Sequence, residues 1–242
     1  MLFMMELEFA GRRLKPDVRW LYDMRDVVFD RDWAARSENI ELYYMYRDLS
    51  LSRADRLRLQ EQGIRYDVTI IPPRMLGPEY VKTAGHYHPV AQGSTTFPEL
   101  YEVLEGEAIY LLQRQDLQDV VAVRAEASDK VLVPPGYGHI TINPSKRTLK
   151  MANLVASGFS SLYEPIRERR GGAYFLTTDG WVRNVLCPEA VALREAGPLG
   201  GSALRRLGLS RGREIYSLIR ERGQLGYLTM PQDHLELFKG LI

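Results

Sequence analysis

The chain has 242 residues, 45% of them hydrophobic and 26% charged, a composition that fits a folded globular protein and excludes a disordered one. Its 32 basic and 31 acidic side chains leave a net charge of +1, so no broad field draws it to nucleic acid or to an anionic membrane, and a small-molecule partner is expected. The single cysteine, Cys187, excludes an intrachain disulfide; the short and soon-charged apolar start is unlike a secretory signal, which points to the cytoplasm, and no apolar run approaches the length that spans a bilayer.

Residues 18–24 and 40–47 are apolar runs mixed with charge, and the second alternates well enough for a strand with one aromatic face. Ser52 then caps a helix over residues 53–62, closed by Gly63, whose many charges suit a solvated surface. From Arg65 the pattern turns to β. Strands are predicted over residues 65–71, 79–88, 99–104, 108–113, 120–124, 130–133, 139–143 and 150–155, with loops at 72–78 and 89–98. So many short strands between turn signals favour an all-β barrel or jelly roll over alternating βα units. Residues 173–177 and 181–185 read as a hairpin around Thr178-Asp179-Gly180. Beyond it, helices are expected over residues 189–196 and 214–221, with a flexible joint at 198–202. The chain thus divides into a barrel with an N-terminal flanking segment, residues 1–186, and a helical C-terminal extension, residues 187–242. Cys187 and His234 read as packing or surface residues, because neither has a partner nearby in sequence that would activate it.

The chemistry concentrates between Thr83 and Asn143, which hold three of the four histidines. In a strand His86 and His88 share a face, as do Glu99 and Tyr101, while Glu102 points away with Leu100 and Leu104. The turn Pro134-Pro135-Gly136 presets the backbone that aims His139 from a distant strand. If the strands close with these faces inward, three imidazoles and a carboxylate meet. Imidazole suits iron, nickel, copper or zinc, and the carboxylate admits manganese. A His-x-His pair alone is as often structural; here it is followed by Glu-x6-Gly and then by Pro-x-Gly-x-x-His-x-x-x-Asn.

Those two halves, in that order, resemble the two motifs of the cupin superfamily. Over roughly residues 18–185 the chain resembles the cupin-type glucose-6-phosphate isomerases, most specifically in residues 69–88, Glu99-Leu100-Tyr101 and the Pro-Pro-Gly-Tyr-Gly-His block. The resemblance implies a cupin double-stranded β-helix, that is, a jelly-roll barrel. It implies a divalent transition metal (Fe, Mn, Ni or Zn) held by His86, His88, Glu99 and His139, with Thr69, Thr83 and Gly85 holding a sugar phosphate. The expected reaction interconverts glucose 6-phosphate and fructose 6-phosphate, through a cis-enediol or by a metal-assisted hydride shift. Glu99 is then the candidate base and Tyr101 the group that relays a proton or orients the sugar. Ten residues separate His88 from Glu99, more than in most cupins; Glu99 is preferred to Glu102 because it keeps the six-residue spacing to Gly106. Family members place a tyrosine and a histidine near the sugar after the position of Val155. Here Tyr163 is the candidate tyrosine, and no histidine follows His139 until His234.

Lys82 and Arg74 are expected outside the phosphate cradle. By analogy of fold a homodimer is expected, with Tyr43, Tyr44 and Tyr46 as a candidate pairing surface. Two other functions fit a metal-binding cupin: a dioxygenase, and a non-catalytic sugar-phosphate-binding protein. The threonines and glycine of the cradle argue against the first, and the lack of a recognisable output module against the second.

Overall fold

The computed structural model describes residues 6–242, so the first five residues of the N-terminal apolar stretch lie outside it. A six-stranded antiparallel sheet runs in the order Lys130–Val133, Glu99–Glu105, Leu149–Ala156, Ile64–Ile71, Glu41–Tyr46, Asp17–Trp20. A four-stranded sheet runs Tyr137–Ile142, Glu107–Arg114, Val120–Glu126, Arg194–Ala196, and only its last pairing is parallel. Tyr101, Val103 and Met151 of the first sheet share one buried cluster with Tyr110, Leu112 and Val121 of the second. Two sheets closed over one apolar filling form the jelly-roll barrel of the cupin fold. The hairpin of Tyr174–Thr177 and Gly180–Arg183 also forms where expected.

Alternation explains what each strand does. In Ile64–Ile71, Arg65, Asp67, Thr69 and Ile71 point inward, and Ile64, Tyr66, Val68 and Ile70 point the other way. The outward set is buried as well, in a second cluster with Leu204, Leu207, Ile215, Leu218 and Leu228 from the C-terminal segment. The outer face of the six-stranded sheet is therefore covered by the chain's own tail. The ring of Tyr216 meets that of Tyr66 edge-on at 4.8 Å, and its hydroxyl accepts the Leu51 N–H at 2.6 Å.

Covering this face changes several expectations. Tyr44 and Tyr46 on this face, and Tyr43 on the inward face, are each about 2–3% exposed within the single chain, so they offer no free pairing surface. Glu102 does point away from the barrel interior, but not to water: it accepts the Ile215 N–H at 2.8 Å and pairs with the Lys130 ammonium at 3.1 Å. The helix expected over residues 53–62 forms as Arg53–Glu61, with the Ser52 hydroxyl accepting the Asp55 N–H at 3.0 Å. Its charges are not all solvated, because Asp55 is buried and paired with Arg220 of the tail at 3.1 Å.

The extension itself is only partly helical. Residues 189–196 form turns and the strand Arg194–Ala196, which runs parallel to Val121–Val123. A sheet edge with free hydrogen-bonding groups outweighs the helix preference of a short segment framed by Pro188 and Pro198. Arg194 completes the attachment with two hydrogen bonds of 2.9 Å to the Asp119 carboxylate. The helix expected at 214–221 is the tighter 3-10 helix Ile215–Arg220, and the expected joint at 198–202 instead opens the helix Gly201–Arg206. The long strand expected over residues 79–88 is also broken. Only Glu79–Tyr80 is a strand, followed by single bridges from Lys82 to Ile142 and from His86 to His139. Among the described residues, no helix is long and apolar enough to cross a membrane.

Candidate metal centre

The break before His86 has a local cause. Gly85 has φ +77, and a Cβ there would lie 2.4 Å from Ile140 Cγ1, so the chain turns through a left-handed conformation at a point of close approach. Immediately after it, the His86 N–H donates to the His139 carbonyl at 3.2 Å, and the His139 N–H returns a bond to the His86 carbonyl at 3.0 Å. This two-way bridge, not strand alternation alone, sets the two histidines side by side.

Around the bridge the four expected ligands converge. His86 Nε2 and His88 Nε2 are 3.2 Å apart, and Glu99 Oε2 is 3.3 Å from both His88 Nε2 and His139 Nε2. One ligand atom from each of the four residues lies within 4.8 Å of all the others. His88 is oriented by a 2.9 Å contact between its Nδ1 and the Phe97 carbonyl, which leaves Nε2 free to bind. The spacing fits a cation: two atoms each about 2.1 Å from one ion lie roughly 3.0–3.4 Å apart. Glu99 Oε2 is buried with no hydrogen-bond partner, the state of a carboxylate oxygen prepared for an ion. The cluster could hold a divalent metal, with His86, His88, Glu99 and His139 as its protein ligands.

The electrostatics keep His86, His139 and Glu99 in their ligating forms. Burial lowers the pKa of His86 well below the ordinary value, and His139 and His88 add to that effect. Burial likewise brings His139 down to about 4, against the opposing pull of Glu99. For Glu99, burial works toward a higher pKa, but the close approach of His88 and His139 outweighs it, and the net shift is downward. At neutral pH His86 and His139 are therefore neutral donors and Glu99 is an anion. The Tyr101 hydroxyl lies 3.0 Å from His139 Nε2, and burial followed by the Glu99 charge holds its proton far more tightly than in free phenol.

The cavity beside the cluster is lined by all the other candidate residues: Thr69, Thr83, Gly85, Tyr101 and Tyr163. The Thr83 hydroxyl accepts the Thr141 N–H at 2.9 Å, so its own proton remains to donate. The Tyr163 ring lies 5.4 Å from that of His86. Neither Lys82 nor Arg74 lines this space; Lys82 is buried elsewhere, 2.5 Å from Glu79. Several lining residues were given no role in the site from the sequence, among them Arg65, Asp67 and Asn153, and Tyr43, expected on a pairing surface, lines the cavity instead. The alternation that places Thr69 inward carries Arg65 and Asp67 with it, so the signal for those two was present. Cys187 is buried, and burial pushes its thiol up to about 11, as befits a passive residue.

The family model for glucose-6-phosphate isomerase matches residues 18–189. Glucose-6-phosphate isomerase of Thermococcus gammatolerans is 25% identical over 174 residues, which cover 71% of this chain and 86% of that protein. The enzyme of the same name from Pyrococcus abyssi is 26% identical over 178 residues, covering 72% and 88%. Among solved structures, a Cupin 2 conserved barrel domain protein from Salinispora arenicola aligns with a TM-score of 0.33 and 17% identity, over 46% of this chain and 73% of that one. With most of its barrel matched by the family model, the chain belongs to the glucose-6-phosphate isomerase family, a family of isomerases.

Proposed function

We propose that this protein is a metal-dependent isomerase that interconverts glucose 6-phosphate and fructose 6-phosphate. The observation that carries the reading is the convergence of His86, His88, Glu99 and His139 inside a barrel whose sequence matches the isomerase family. The donor set of three imidazoles and one carboxylate suits Fe, Mn, Ni or Zn. When bound, such an ion supplies a Lewis acid for the sugar's carbonyl oxygen and the neighbouring hydroxyl oxygen.

The protein's own groups then have distinct tasks. Thr69, the Thr83 hydroxyl and the backbone at Gly85 hold the substrate by hydrogen bonds, and Tyr163 closes the cavity beside His86. Isomerisation moves one hydrogen between C1 and C2. In the proton route Glu99 is the carboxylate placed to take it from C2 and return it to C1, while Tyr101 keeps a proton available to a sugar oxygen. In the hydride route no base is needed, and Glu99 serves only as a ligand. Solvent exchange separates the two: deuterium lost from C2 to water marks the Glu99 route, and full retention at C1 marks direct transfer.

The function is tested by a coupled assay for glucose 6-phosphate formed from fructose 6-phosphate. Activity is expected to vanish with chelator, to return with one of the four metals, and to fall at least about a hundredfold in His88→Ala, the upper scale for loss of metal-site function. Stoichiometric metal binding without turnover would overturn the isomerase reading in favour of a binding protein.

A further inference from the structure

Arg65 and Asp67 belong to no metal cluster, yet both line the cavity that contains it. They share the inward face of Ile64–Ile71 with Thr69. Register places Arg65 beside Val155 and Val155 beside Glu99, so Arg65 stands two strands from the carboxylate ligand. Asp67 is likewise beside Asn153, which is beside Tyr101.

The pair is held in a particular way. The Arg65 Nε–H donates to Asp67 Oδ2 at 2.8 Å, and Asp67 Oδ1 accepts the Asp48 N–H at 2.9 Å. Asp48 takes a left-handed backbone, φ +55, unusual for a residue other than glycine, and it presents its N–H to Asp67 from that turn. Asp67 is thereby fixed from behind, and Arg65 is fixed through one edge only. Among the described residues, Nη1 and Nη2 of Arg65 make no hydrogen bond, so four of the five N–H donors of a planar cation remain for a ligand.

The other guanidiniums near the cavity are differently placed. Arg47 has Nη1 on Asp17 and Nη2 on the Met45 sulfur, and Arg19 lies over the rings of Tyr43 and Tyr163. A salt bridge that served only to tie the strand to the turn at Asp48 would have no need of a guanidinium on the cavity wall. Burial opposes the charge of Arg65, but Asp67 and Glu99 outweigh it, and the group stays cationic. The free fork matches the paired oxygens of a phosphate monoester.

We infer that Arg65 is a phosphate-recognising residue of this cavity and that Asp67 is its positioning residue. The inference rests on the sugar-phosphate reading above and deepens it. It adds a cation to the wall of the cavity that Thr69, Thr83 and Gly85 also line.

The test uses the full-length, metal-loaded protein with sorbitol 6-phosphate, which cannot isomerise, and with sorbitol, measured by calorimetry beside fructose 6-phosphate kinetics. Arg65→Gln is expected to weaken sorbitol 6-phosphate binding and to raise KM about tenfold or more, the scale of one charge-assisted hydrogen bond. Sorbitol binding stays as it was, kcat changes much less than KM, and competitive inhibition by inorganic phosphate is lost. Arg65→Lys keeps the charge without the fork; folded by its melting curve, it is expected to be weakened too. Asp67→Asn gives a smaller rise in KM that disappears in the Arg65→Gln background, a coupling that general loosening of the barrel does not produce. Unchanged phosphate binding in both Arg65 variants, or a fall in kcat with KM preserved, overturns the inference while leaving the isomerase intact. Phosphate binding that depends on Arg65 in a protein without turnover overturns the isomerase reading and supports the inference.

Discussion

At Gly85, one residue settles whether His86 and His139 can meet. Any side chain there faces both a left-handed backbone and the flank of Ile140. Gly85→Ala is expected to lose about 2–4 kcal/mol of stability, the sum of overpacking and left-handed strain, and to bind metal more weakly because the bridge to His139 shifts. Adding Ile140→Ala removes the clash but not the backbone strain, so it restores only part of the loss. Chemical denaturation and metal titration of the two variants check this, and an unperturbed Gly85→Ala would sink the argument. At this scale much was legible. The spacing of His86, His88, Glu99 and His139 marks them, because donor type and place along the chain are both visible in sequence, and the fold brings the four together. Arg65 and Asp67 were not singled out, although they share a face with Thr69. A charged pair in a strand looks the same from sequence whether its face is wet or lines a cavity, and only the closed barrel distinguishes the two.

The strand Glu99–Glu105 works on both faces. Inward it carries Glu99 to the cluster and Tyr101 to His139; outward it carries Glu102 to the tail. Glu102 and Lys130 are about 4% and 1% exposed, so each is the other's main neutralising charge. Glu102→Gln is expected to cost about 3–5 kcal/mol, since it leaves the Lys130 ammonium buried without a counter-charge. The double variant Glu102→Gln/Lys130→Met should recover most of that loss, and a thermal melt of both proteins against the parent decides the matter. The same strand shows why the tail was hard to read. Barrel strands announce themselves by alternation and turn residues, which are local signals. The segments at 189–196 and 214–221 take their shape from what they dock on: a free edge at Val121–Val123 for the first, and the Glu102 carboxylate with the ring of Tyr66 for the second. Tertiary contacts override weak local preference in short pieces.

For the molecule as a whole, the cluster of histidines and Glu99 is linked to stability through protons. Three imidazoles and a carboxylate packed within 4.8 Å are compatible with folding because His86 and His139 stay neutral. Both have pKa values depressed below the ordinary 6.5 of an unfolded chain, His139 to about 4. As pH falls from 7 through 6.5, the unfolded chain takes up protons at these positions and the metal-free folded protein does not. The unfolded state then binds more protons, so the stability of the folded state must fall with falling pH, continuing until His139 itself protonates near 4. The slope is bounded at about 1.4 kcal/mol per pH unit for each histidine. Melting temperatures of the chelated protein between pH 7.5 and pH 5 are therefore expected to drop steadily, and His139→Gln, which has no proton to gain, should show a shallower slope. Bound metal steepens the dependence, because an ion held by neutral imidazoles competes with protons for the same nitrogens. A chelated protein whose melting temperature is flat across this range would mean that the histidines take up protons alike in the folded and unfolded states, and one whose melting temperature rises as pH falls would mean that they are charged in the folded state, a set of ion pairs to Glu99 and not a ligand set.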